Sequence, residues 1–232
     1  MRITTAEAAV ASAGFSPRRL SGISGFVLAG GPSRRMGSPK AGLMLDGEPM
    51  ICRQVRLLDR LCGRVAVTGV PIGNQRASDA IREALSRLDV RVIPDQRPGC
   101  GPLGGILSGL CESQTEWNLF LACDLPFVPV SFLRYLCRQA FESSAEVTVP
   151  ESRDGHCQPL CGVYRRSARL AIRRNLDRGE KKVTRFFGSV NCRVVSWAQI
   201  AKAGFPAGIF ANMNTPEDYE AAIRRLSPIH IR

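Results

Sequence analysis

Short apolar runs alternate with longer amphipathic stretches along this chain, and that alternation limits its fold more than any other feature of the sequence. Strands are expected at Ile23–Leu28, Arg64–Thr68, Arg91–Ile93, Asn118–Ala122, Glu146–Val149, Leu160–Tyr164 and Arg193–Val195. Helical patterns fall between them at about Glu48–Leu61, Ser78–Leu88, Leu103–Glu112, Val130–Phe141, Ser167–Asp177 and Pro216–Leu226. Strand and helix alternation of this kind predicts an α/β fold with a doubly wound, mainly parallel sheet. The Pro- and Gly-rich stretches Pro94–Gly105 and Gly204–Gly208 lie inside the pattern as loops. Nothing reads as a linker or a repeat, so residues 23–232 are expected to form a single domain behind a 1–22 extension. A chain of 232 residues can bury a sizeable core without staples. Its longest apolar runs, Phe26–Ala29 and Leu119–Cys123, fall far short of the ~18 residues that cross a bilayer, so no membrane span is expected.

Charge narrows the partners. There are 32 basic and 20 acidic residues, a net +12. The segment 165–193 holds ten Lys/Arg against Asp177 and Glu180, a local +8. Such a cluster suits a nucleic acid, a phosphorylated small molecule or an acidic protein, and it also suits a solvated helix face. Aromatics make up 6% and are not interleaved with the basic run, which speaks against nucleic acid because stacking platforms are not evident. The nine cysteines are scattered, odd in number and without a CxxC pair, and read as reduced thiols of a cytoplasmic protein. His156-Cys157 with Cys161 lacks the second cluster that a tetrahedral zinc site needs.

In doubly wound sheets ligands bind beyond the carboxyl ends of the strands, so the loops there are where chemistry is expected. After the first strand, Gly30 and Gly31 let the backbone turn and approach a ligand, and Arg34, Arg35 and Lys40 add three cations, an arrangement suited to several phosphates. Neither GxGxxG nor GxxxxGK[ST] is present. Asp124 follows the strand at Asn118–Ala122, where a carboxylate can hold Mg²⁺ against phosphates or cap the next helix. Asp95 precedes a stretch with four glycines, Gly99–Gly105, and can serve a ligand or form a turn. Thr215 before Pro216 reads as a helix N-cap, which leaves Asn212 and Asn214 unexplained.

The run LAGGPSRRMGSPKAGL resembles the signature LAGGxSxRMGxxKxxL of the molybdenum cofactor guanylyltransferases, the MobA family. PDQRPGCGPLGGILSGL, ACDLPFV and NMNTPEDYEAA match further family segments in order, so the resemblance covers about residues 23–226. It implies a Rossmann-like nucleotidyltransferase fold that transfers GMP from GTP to the terminal phosphate of molybdopterin. Carried onto this sequence, it places GTP at Leu28, Ala29, Gly30, Gly31, Lys40, Asp95, Gly101 and Asp124. Lys40, Arg35 and Asp124 would carry catalysis, with Asp124 holding Mg²⁺. Molybdopterin would meet Gln158, Lys181, Lys182, Asn212 and Asn214, so that a GTP half (about 23–145) precedes an acceptor half (about 146–232). Asp177–Val183 is similar to a DxGxxxV stretch common in the family. The resemblance also implies transient contact with molybdoenzyme maturation proteins.

Related cytidylyltransferases typically carry LAAG, and the methyl missing at Gly30 leaves room for a purine. CTP, or another phosphorylated acceptor, remains the rival reading, and a basic RNA-binding or regulatory protein is the rival from another class. One departure stands out: where the family often has an Asn after the second strand, this chain reads Val67-Thr68-Gly69-Val70, with its nearest Asn at Asn74.

Overall fold

The computed structural model describes residues 19–29, 42–70 and 75–226. The first apolar run forms β1 (Leu20–Leu28), whose side chains alternate between two cores, Ile23 and Val27 on one face of the sheet and Phe26 and Leu28 on the other. It pairs in parallel with β4 (Cys62–Val70) on one side and with β6 (Trp117–Ala122) on the other. Adding β5 (Arg91–Pro94), β7 (Val147–Pro150), β8 (Cys161–Arg165) and β9 (Cys192–Val195) gives a seven-stranded sheet in the order β5-β4-β1-β6-β8-β7-β9. Within it only β8 runs antiparallel to its neighbours. The mainly parallel, doubly wound sheet expected from the alternation is therefore present, and so are all seven expected strands.

Helices cover both faces. On one lie α1 (Met50–Asp59), α2 (Gln75–Leu85), α4 (Val130–Phe141) and α7 (Trp197–Lys202); on the other lie α3 (Gly101–Glu112), α5 (Arg169–Asp177) and the short α6 (Val183–Phe186). In α4 the buried residues Phe132, Leu133, Leu136, Cys137 and Ala140 recur at helical spacing, the pattern of a helix with one apolar stripe. A third, small cluster joins Leu45, Met50, Met213 and Ala222, and seats α8 (Pro216–Leu226) against the hairpin of β2 (Met44–Leu45) and β3 (Glu48–Pro49).

Boundaries moved where turn chemistry overrode periodicity. The helix expected from Glu48 starts at Met50 because Glu48-Pro49 belongs to that hairpin. Its turn has Asp46 at φ 55° and Gly47 at φ 77°, the left-handed pair that a two-residue Asp-Gly turn supplies. The helix expected from Ser167 starts at Arg169 after a 3₁₀ turn, and β1 starts at Leu20, inside the segment read as an extension. There the Leu20 N–H donates to the Leu61 carbonyl at 2.8 Å.

The helix α3 is buried continuously from Leu103 to Leu110 because the sheet lies under it and α5 packs against its other side. Its glycines mark the points of closest approach. A Cβ on Gly105 would lie 2.9 Å from Gly69 Cα and 3.1 Å from Leu28 Cδ2, and one on Gly109 would lie 2.8 Å from the Phe120 ring. That ring stacks on Phe26 at 5.0 Å between centroids and meets Tyr164 edge-on at 5.3 Å, so it cannot retreat without disturbing both partners. The Thr68 hydroxyl, fully buried, donates to the Gly105 carbonyl at 2.8 Å and pins the helix to the end of β4. Replacing Gly105 with Ala is therefore expected to cost about 1–3 kcal/mol through overpacking. Urea unfolding measures this. Helix propensity alone favours Ala by about 1 kcal/mol, so an unchanged or raised midpoint would contradict the close packing described.

Candidate functional site

From β1 the chain runs outward to β4 and β5, then returns to place β6 on the other side of β1. The strand order reverses between β1 and β6, and in open α/β sheets ligands bind beyond the carboxyl ends of the strands at such a switch point. Leu28 pairs with Ala122 there, and the Cys123 N–H donates to the Leu28 carbonyl at 3.1 Å, so Ala29 and Asp124 leave adjacent strands side by side. Asp124 is not a helix cap, since α4 begins at Val130 behind Pro129. Three contacts fix its turn. Besides the Cys123 bond, the Asp124 carbonyl accepts the Met213 N–H at 3.1 Å, and the Leu125 carbonyl accepts Gln54 Nε2 at 2.7 Å.

The Met213 bond brings the C-terminal asparagines to the same place. Met213 is buried in the small cluster with Leu45 and Met50, while Asn212 and Asn214 on either side are exposed. Thr215 caps α8 as expected: its hydroxyl accepts the Asp218 N–H at 3.2 Å, and Asp218 Oδ2 accepts the N–H groups of Asn214 and Thr215 at 3.0 and 2.9 Å. Asn212 lines a cleft of about 530 Å³ together with Gln158, Ser152, Asp154 and Phe210. In it Gln158 Nε2 donates to the Ser152 hydroxyl at 3.0 Å. The Ser152 hydroxyl in turn donates to Asp154 at 2.5 Å and holds that carboxyl below its usual range. Larger clefts exist, of about 840 Å³ between the 44–49 hairpin, α1 and α2, and of about 670 Å³ toward the amino ends of β4 and β5, but neither borders the strand ends where this fold binds ligands.

Asp95 follows β5 and is partly buried against α3. Its Oδ1 accepts the Ser108 hydroxyl at 3.2 Å, and that hydroxyl receives the Gln96 N–H at 2.9 Å. A Cβ on Gly104 would come within 3.0 Å of the same carboxylate oxygen. Burial raises the Asp95 carboxyl above its ordinary value, against the lowering pull of the Ser108 and Arg97 hydrogen bonds. The loop that follows needs left-handed backbone at Gly99 (φ 76°) and Gly101 (φ 61°).

The structure divides the expected acceptor residues. Gln158 and Asn212 share the cleft, and Asn214 flanks it, but Lys181 does not join them: its ammonium donates to the Gly99 carbonyl at 2.9 Å, on the Asp95 side. Beside it Arg97 pairs with Asp177 at 2.6 Å. The Lys182 N–H donates to Glu180 at 3.0 Å. The basic segment is not one patch either. Arg165 pairs with Glu116 at 3.1 Å and lies over the Trp117 ring, while Arg193 donates to the Gln139 carbonyl at 3.0 Å on α4.

Gly30, Gly31, Arg35, Lys40 and Asn74 lie outside the described residues. Leu28, expected among the nucleotide contacts, has its side chain in the core and its carbonyl engaged by Cys123, and Thr68 is spent on Gly105. Sequence reasoning missed Gln54 and Ser108. The signal for Gln54 was available, because it falls on the apolar stripe of α1 with Met50, Ile51, Val55 and Leu58. Burial pushes the Cys62 and Cys161 thiols up to about 12, which leaves them inert. Among the described residues no group of three His, Cys, Asp or Glu side chains could hold a metal. A single strand-end carboxylate fits Mg²⁺, which binds through one or two carboxylates and completes its shell with substrate phosphates and water.

An open α/β sheet with an aspartate at its switch point and a glycine-built loop after the outer strand suits a phosphorylated ligand at the strand ends. The chain belongs to the MobA-like NTP transferase domain family, whose model matches residues 25–194. It is 35% identical over 194 residues to a protein of Pelotomaculum thermopropionicum named "Probable molybdenum cofactor guanylyltransferase", covering 84% of this chain and 88% of that one. It is 31% identical over 197 residues to the molybdenum cofactor guanylyltransferase of Syntrophotalea carbinolica, covering 85% and 89%. The crystal structure of molybdopterin-guanine dinucleotide biosynthesis protein A from Archaeoglobus fulgidus has the same fold, with a TM-score of 0.74 at 23% identity over 87% of this chain and 97% of that one.

The raised Asp95 carboxyl has a consequence for stability. Because the folded state holds this proton more tightly than the unfolded chain, stability falls as pH rises from the unfolded value, 3.8, through the higher folded one. Asp95→Asn is expected to raise the urea midpoint at neutral pH, with the difference closing below 3.8. A lower midpoint at neutral pH would make the carboxylate a stabilising structural group instead.

Proposed function

We propose that this chain transfers GMP from GTP to the terminal phosphate of molybdopterin and releases pyrophosphate. The observation that carries this is the hydrogen bond from the Met213 N–H to the Asp124 carbonyl, which joins the asparagine segment and its cleft to the strand-end aspartate. A nucleotide held along the carboxyl ends of β5, β4 and β1 would then present its α-phosphate to an acceptor lying in the Gln158–Asn212 cleft. The names of the relatives support the same pair of substrates.

In the reaction an oxygen of the molybdopterin phosphate forms a bond to the α-phosphorus while the bond to the bridging oxygen breaks, and pyrophosphate departs with that electron pair. The nucleophile is already an anion, so no general base is needed. The work left to the protein is positioning and charge neutralisation. Asp124 would hold Mg²⁺, with Asn214 assisting; the ion, when bound, would neutralise charge on the phosphates. Arg35, Lys40 and the backbone of Gly30 and Gly31 would bind the triphosphate, and Asp95 with Gly101 the nucleoside. Gln158, Asn212 and Asn214 would bind molybdopterin, while Lys181 stiffens the nucleotide-side loop. Among the described residues no helix is long and apolar enough to cross a membrane.

Incubation with molybdopterin, Mg²⁺ and each of the four α-labelled nucleoside triphosphates tests this reading. Label is expected to enter the dinucleotide product from GTP, and transfer from CTP in its place would overturn the guanylyl assignment. Asp124→Asn is expected to stay folded and lose turnover by about 10²-fold or more, as when a strong electrostatic contributor is removed. Near-normal turnover would remove Asp124 from the site.

A further inference from the structure

Gln54 lies on the buried stripe of α1, 1% exposed, between residues that are otherwise apolar. Its Nε2 donates to the Leu125 carbonyl at 2.7 Å, seventy-one positions along the chain, and its Oε1 is buried with no partner among the described residues. An amide with an unmet acceptor is a poor choice for holding a helix to a sheet, because a Leu or Met would fill the same space without the desolvation penalty. Packing does not account for the residue. Its partner does.

Leu125 follows Asp124, and Pro126 follows Leu125, so the chain turns sharply where the strand ladder has stopped. The Met213 N–H fixes the carbonyl of Asp124, and Gln54 fixes the next one, that of Leu125. With two successive carbonyls held from different elements, and the Cys123 N–H held by Leu28, the backbone that carries the Asp124 side chain has little freedom left. Of these ties only the Gln54 bond is made by a side chain, and so only it can be removed by a single substitution without touching β1 or the asparagine segment.

We propose that Gln54 is a positioning residue for Asp124, holding its turn so that the carboxylate faces the divalent cation that accompanies the nucleotide triphosphate. This rests on the reading of Asp124 as the metal-holding carboxylate. Gln54 touches neither substrate nor metal. Its loss acts through the aim of Asp124, on cation affinity and turnover, and leaves the contacts to the nucleoside unchanged.

The test compares Gln54→Met, which fills the space but cannot donate, and Gln54→Asn, which keeps the amide but is too short to reach Leu125. Mn²⁺ binding to the full chain with GTP present is followed by electron paramagnetic resonance, alongside kcat and the KM for GTP. Both variants are expected to bind Mn²⁺ about tenfold or more weakly, the scale seen when groups supporting a metal ligand are removed. The kcat is expected to fall with little change in KM. Should Gln54→Met fail to fold, Gln54→Asn carries the comparison. A lowered melting temperature with wild-type Mn²⁺ affinity and kcat would overturn the proposal and leave Gln54 a packing residue. Asp124→Asn, measured in parallel, separates the two claims. Mn²⁺ lost there but retained in both Gln54 variants refutes the positioning role alone, whereas Mn²⁺ retained in Asp124→Asn refutes the reading of Asp124 and the positioning role with it.

Discussion

The parallel pairing of Leu20–Leu28 with Trp117–Ala122 is the contact on which the rest of this molecule depends. It joins segments nearly a hundred residues apart, and everything between them has to be folded out to one side as three crossovers before the pairing can close. Once it has closed, the ends of the two strands stand side by side, with Ala29 leaving one beside Asp124 leaving the other. The stack of Phe26 on Phe120 supports the pairing on one face, and Ile23, Val27, Leu119 and Leu121 bury it on the other. The Cys123 N–H continues the ladder by one further bond to Leu28, so register is carried from the core to the turn at Asp124.

From that fixed edge the two sides of the sheet are built on unlike principles. On the β5 side, a glycine helix pressed against the sheet through Gly105 and Gly69 leaves room for a partly buried carboxylate, Asp95, and its loop is clamped from outside by Lys181 and by the Arg97–Asp177 pair. On the β8 side the sheet adds an antiparallel strand. The Gln158 turn leads into it, and together with the 207–212 segment this turn walls a cleft rich in polar groups. Asp124 lies between the two sides and is bonded to the second through Met213. Asp95, held against its solvation, and Gln54, whose acceptor has no partner among the described residues, both carry a cost in stability near this edge, as is usual where local consistency yields to function.

Much of this was legible in the sequence, and the reasons differ from residue to residue. Strands buried on both faces read as apolar runs whatever their partners, the half-exposed edge strands β5 and β9 still showed through Val92-Ile93 and Val194-Val195, and the Val130–Phe141 and Pro216–Leu226 helices matched to the residue because their stripes are clean. The hairpin at 44–49 was missed although its Asp46-Gly47 pair is a strong turn signal, because the helical period downstream could be extended over it. The helices at Val183–Phe186 and Trp197–Lys202 are too short to show a period. The strand-end rule pointed to Asp95 and Asp124, and the family resemblance pointed to Gln158 and Asn212. It could not say that Lys181 turns toward Gly99, since a cation reads the same whether it meets a substrate phosphate or a loop carbonyl. The stretch Pro94–Gly105 read as a loop, and two of its glycines, Gly104 and Gly105, lie in α3 and answer to close packing.

The central claim is that nucleotide and cation meet at the turn that follows β6, beside the cleft for the acceptor. Anomalous diffraction from crystals grown with Mn²⁺ and a GTP analogue that cannot be cleaved at its α-phosphate tests it most directly. The account predicts a manganese peak bonded to a carboxylate oxygen of Asp124, with the triphosphate on its β1 side and the base toward Asp95. A peak elsewhere, with the nucleotide in the cleft at the amino ends of β4 and β5, would contradict it.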